Sequence, residues 1–145
     1  MDRGVAVILM AGVGGLIAAQ PVVNAGLGRE TGSIAAALIS FAVGTLLLAG
    51  IVVVAGDAGR VGGAFDVNWY YLLGGILGAA YVFTALVVVK YIGAGGVAAA
   101  TITGQLALSV VLDRIGFLGL QETPITLERV VGVALLLAGT YLIVR

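Results

Sequence analysis

Residues 69–116 read WYYLLGGILGAAYVFTALVVVKYIGAGGVAAATITGQLALSVVLDRIG, and how this stretch divides decides the fold. At 1.5 Å of rise per residue its apolar part, Tyr70 to Leu112, is about twice what one bilayer crossing needs. Lys90 is its only charge, and glycines follow at 93, 95 and 96. A tight turn is therefore placed between Lys90 and Gly96, with spans over 69–89 and 94–112 on either side. Trp69, Tyr70 and Tyr71 open the first of these with side chains that suit the headgroup level. The second stops at Asp113–Arg114.

The rest of the chain has the same character. Of 145 residues 61% are hydrophobic and only 10% charged, where a soluble domain carries about a quarter charged. Mean hydropathy is +1.22. These values make the chain an integral, all-α, multi-pass membrane protein. Three further apolar runs complete a set of five, over 4–24, 33–55 and 127–144. The first follows Asp2 and Arg3 and would suit a signal peptide, but it is long and ends in Gln20–Pro21 without a small-x-small cleavage pattern. It is read as a span. Residues 25–32 are read as a short polar turn and Gly56–Asn68 as the longest connection. Ile115–Glu128 is a mixed connector broken at Pro124.

Five spans place the termini on opposite sides. One side then holds Arg3, Arg60, Arg114 and Arg129, and the other Arg29, Lys90 and Arg145. The positive-inside rule works through a clear excess, and four against three is not one. Two arrangements meet this count: an N-terminus held weakly in the cytoplasm, or a chain that inserts both ways and pairs as an antiparallel homodimer. The second would build a ten-helix inverted repeat from two copies, the architecture many transporters hold in one chain.

Lipid gives helices no hydrophobic reason to associate, so small residues mark close contact. Gly74 and Gly78 form one such series and Gly96, Ala100 and Gly104 another, and both are read as packing seams. Polar groups within a span each need a partner. Thr101, Gln105, Ser109 and Asp113 recur every four residues and share nearly one helix face. Thr101 and Ser109 can bond to their own backbone, whereas Gln105 is a full amide near the middle of a span. Gln20 and Asn24 flank Pro21, which frees the carbonyl of Ile17; they either satisfy that carbonyl or face a solute. Tyr81 and Thr84 lie near the face of Gly74 and Gly78. The candidate lining set is therefore Gln20, Asn24, Tyr81, Thr84, Thr101 and Gln105, with Asp113 a boundary or coupling charge.

Several functions are excluded. Without His or Cys the usual ligands of zinc, haem and iron–sulfur centres are missing, so no metal or other cofactor is expected. The zero net charge argues against nucleic acid as a partner. No catalytic constellation or phosphate-binding loop is present, and an enzyme is not expected. Every Asp and Glu falls at a run end or in a connector, which leaves a mid-membrane proton relay without a carrier.

The quoted stretch also resembles a known family, as do AAQPVVNAGLGRETGS (18–33), ALISFAVGTLLL (37–48), ITGQLALSVVLDRIGFLGL (102–120) and GVALLLAGTYLIV (132–144). The chain is similar over essentially its whole length to the YdcZ-like family of bacterial inner-membrane exporters, a short branch of the drug/metabolite transporter superfamily. Longer members of that superfamily are ten-helix inverted repeats, so the resemblance implies a half-sized chain working as a dimer in the inner membrane. On that analogy the family-like polar positions are Gln20, Asn24, Gly104, Gln105 and Asp113. Small multidrug members carry a Glu in the first span, and this chain has none there. The expected function is a secondary transporter of small polar or amphipathic metabolites, its site at the dimer interface near mid-membrane. A passive channel and a small non-transporting subunit are the alternatives.

Overall fold

The computed structural model describes residues 2–119 and 121–145. Four helices are long and apolar enough to cross a membrane, and no strand occurs among the described residues. They are α1 (Arg3–Thr31), α2 (Ser33–Val54), α3 (Leu73–Ile115) and α4 (Leu127–Val144). Short 3-10 turns, Ala58–Phe65 and Trp69–Leu72, fill the connection between α2 and α3, and a third, Phe117–Gly119, follows α3.

Where α1 ends and where α3 breaks is decided by glycines of positive φ. The segment 25–31, read from sequence as a turn, is helical, and α1 continues through Gly26 and Gly28 to stop at Gly32, whose φ is 84°. Glycine alone weakens a helix by only about 1 kcal/mol; a left-handed backbone ends it. α3 is interrupted in the same way at Gly93, with φ 69° and ψ 172°. Two helical segments, 73–92 and 94–115, meet there, inside the window where Lys90 and the glycines placed a break. The backbone region of Gly93 is essentially closed to residues with a Cβ and costs about 1–3 kcal/mol. A Cβ at Gly93 would meet no atom within 4 Å, so the strain would be purely conformational. Gly93→Ala is expected to lose about 1–3 kcal/mol in SDS-titrated unfolding, while Gly139→Ala, in open helix, loses nothing.

The chain divides into two compact units, Ala19–Lys90 and the remainder, which is the chain up to Ala18 together with Tyr91–Arg145. In the first, the end of α1 meets α2 and helix 73–92 through small residues. A Cβ on Gly28 would lie 3.6 Å from Ala36 Cβ and 3.8 Å from Leu86 Cδ1. Ala25, Ala36, Val82, Ala85 and Leu86 are buried there, Leu86 completely. Phe41 of α2 covers Gly78, 3.4 Å from where its Cβ would stand.

In the second unit, helix 94–115 and α4 run antiparallel. Gly95 faces Ile143, Thr103 faces Thr140 at 2.7 Å, and Asp113 meets Arg129 at 3.1 Å. Thr126 caps α4 by accepting a hydrogen bond from the Arg129 amide. The connector is held by the Thr123 amide donating to the Asp113 carbonyl at 2.8 Å.

The aromatic entry to α3 is clustered, with the Tyr70 and Tyr71 ring centroids 4.6 Å apart and Trp69 edge-on to Tyr70. Trp69 is the chain's single tryptophan and is exposed. Reconstituted protein is expected to show blue-shifted Trp emission, quenched more by brominated lipids labelled near the headgroup than by those labelled at the acyl terminus. Emission typical of bulk water, insensitive to both lipids, would remove Trp69 from the interface.

Candidate functional site

The structure distributes the candidate residues over both units. Gln20, Asn24, Tyr81 and Thr84 belong to the 19–90 unit, and Thr101, Gln105 and Asp113 to the other. Among the described residues no hydrogen bond joins any two of them.

Asn24 is the most constrained. Pro21, Asn24, Ala25 and Gly28 are buried, and their spacing places them on one face of α1. Asn24 is 5% exposed, yet its Nδ2 has no hydrogen-bond partner. It therefore does not satisfy the carbonyl that Pro21 leaves free at Ile17. A buried donor without an acceptor costs about 1–3 kcal/mol, and the buried side chains of this unit at Ala25, Ala36 and Leu86 offer only carbon. Gln20 and Tyr81 are half-buried, and Thr84 is exposed. Elsewhere in this unit an apolar groove of about 400 Å³ runs between α2 and helix 73–92, lined by Ile34, Ala37, Leu38, Phe41, Ala79 and Phe83.

In the second unit, Ser109 donates to its own helix at the Leu106 carbonyl, 2.9 Å away. Thr101 is half-buried and Gln105 exposed, and no hydrogen bond engages Gln105 among the described residues. Asp113 pairs with Arg129, each about a third exposed. With Leu106, Ser109, Val110 and Gly132 they line a small cavity of about 190 Å³. Charge and hydroxyl groups meet at this end of the helix pair, while its middle is closed by hydroxyls. There Thr103, 6% exposed, and Thr140 both reach the Ala99 carbonyl, at 2.8 and 3.1 Å.

Sequence reading missed the Thr103–Thr140 pair. Thr103 falls outside the four-residue stripe of Thr101, Gln105 and Ser109, and its partner lies 37 positions away. Each is a hydroxyl inside an apolar run, which was the available signal. The glycines differ in surroundings. Gly78 lies under Phe41, and Gly96 is buried against Ile92 of its own unit. Gly74 and Gly104 face open space, and Ala100 is exposed. The surface formed by Ala100, Gly104 and Gln105 thus has no neighbour within its unit.

A family model described as "Putative inner membrane exporter, YdcZ" matches residues 5–142. Neither a curated protein nor a solved structure matches the chain.

Proposed function

We propose that this chain, which belongs to the YdcZ family of inner-membrane exporters, is a secondary transporter that carries small polar or amphipathic solutes as an antiparallel homodimer. It is a multi-pass protein of the inner membrane. Each copy crosses five times, with helices 73–92 and 94–115 as separate spans on either side of Gly93, and two copies make a ten-helix inverted repeat. The solute site lies near mid-membrane at the dimer interface, with Thr101 and Gln105 at its wall, and Asn24, buried within the 19–90 unit, is a separate polar contact for the solute.

Gln105 carries this reading. Its amide is exposed in the middle of a span, where an amide facing hydrocarbon is costly. A second copy that covers Gln105 removes that cost, and Ala100 and Gly104 beside it allow the close approach. The same surface, seen twice through a two-fold axis, encloses polar groups around one cavity.

Counterflow tests the reading. Purified protein in liposomes should accelerate uptake of a labelled solute against a preloaded unlabelled pool, with saturation. No flux across a broad metabolite panel would count heavily against it. Saturable flux without counterflow would favour the alternative of a passive facilitator, a reading helped by the absence of a mid-span carboxylate.

The near balance of positive charge makes a separate prediction. C-terminal reporters should give signal on both sides of the membrane, and one added Lys at either terminus should move the population to a single orientation. Signal from one side alone, unmoved by the added Lys, would end dual topology.

A further inference from the structure

We infer that the solute is uncharged and presents a hydrogen-bond acceptor to Asn24 Nδ2, an inference that rests on the transport reading above. Three observations lead there. Asn24 Nδ2 is buried without a partner. The buried core of the same unit is made of Ala25, Ala36, Val82, Ala85 and Leu86, none of which has a side chain able to accept. Of the two polar atoms of the amide only Nδ2 is both buried and unpartnered; Oδ1 is not.

The charge pattern narrows the class. In the 19–90 unit the charges stand at Arg29, Glu30, Asp57, Arg60, Asp66 and Lys90, at helix ends or in the connection, and the two on the helix of Asn24, Arg29 and Glu30, are exposed where Asn24 is buried. An ion brought to the buried amide would meet no charged group among the buried side chains of that unit, and an unpaired ion in a low-dielectric core is strongly disfavoured. A neutral carbonyl, ether or hydroxyl oxygen meets both conditions. One turn further along α1, Gly28 meets Ala36 and Leu86, and the small residues there let the helices part as a solute enters. Asn24 is then kept at a cost to the empty protein that the bound solute removes.

The test uses four aryl probes of similar size with the protein in nanodiscs: N,N-dimethylbenzamide, benzoate, benzamidinium and ethylbenzene. Dimethylbenzamide, which accepts and cannot donate, should raise the melting temperature by a few degrees, and the other three should not. Asn24→Leu keeps the branched shape without polar atoms. It should melt a few degrees above the native chain without ligand and lose the dimethylbenzamide shift. Asn24→Asp, should the leucine variant not fold, ought to exchange the preference for one toward benzamidinium. The inference is overturned by a dimethylbenzamide shift no larger than that of ethylbenzene, by an equal shift with either ion, or by Asn24→Leu melting lower and keeping the shift. These readouts need no flux. If they hold and counterflow fails, the transport reading falls and the acceptor-selective site stands.

Discussion

Replacing Gln105 with leucine is expected to abolish solute flux in liposomes while the protein remains folded and paired. The two side chains are similar in bulk, so the change removes an amide and little else. In lipid-facing surroundings leucine is the better residue, and loss of the amide should not unfold a helix whose backbone bonds are internal. Flux and assembly therefore respond differently. If Gln105 lines the solute path, counterflow disappears and cross-linking or light scattering still reports the dimer. If its amide instead holds the two copies together, the dimer is lost first and flux follows. That second outcome would make Gln105 a packing residue and move the solute site elsewhere.

The largest stability effect is expected at Leu86. Leu86→Ala should destabilise the protein by about 2 kcal/mol, the lower end of what such truncations cost in soluble cores. The reason for the lower end is the solvent. Leu86 leaves lipid, not water, when it packs, so the transfer part of the usual penalty is small and the cavity part remains. It is fully buried where α1 passes α2, and its neighbours Gly28 and Ala36 are too small to fill the void. Leu47→Ala, at a position 65% exposed on α2, should cost under about 0.5 kcal/mol. SDS titration followed by circular dichroism measures both. Equal costs at the two positions would mean that the three-way contact at Gly28 does not hold the 19–90 unit together.

Much of the architecture is legible because the bilayer restricts what a sequence can do. Long apolar runs must be helical, since nothing in hydrocarbon satisfies an open backbone, and each run emerges as a helix. The break near Gly93 is legible for a similar reason: 69–116 is about twice the length one crossing needs, and glycine is where a helix can break. The turn read at 25–32 shows the limit of that logic. Gly26 and Gly28 resemble a break in sequence, yet the helix continues to Gly32, because a glycine ends a helix only when its backbone leaves the right-handed region.

The candidate site divides along the same line. Composition and spacing single out Gln20, Asn24, Gln105 and Asp113 as polar groups in apolar runs, because hydrocarbon makes each one costly and therefore conspicuous. Sequence determines that list, the membrane class and the number of apolar runs. It does not determine partners, which depend on atoms brought close from distant positions. Only the tertiary structure joins Thr103 to Thr140 and Asp113 to Arg129, and only it leaves Asn24 Nδ2 buried with nothing to bond. A hydrogen bond is decided within a few tenths of an ångström, and hydrophobic spacing specifies a helix face only to within a turn.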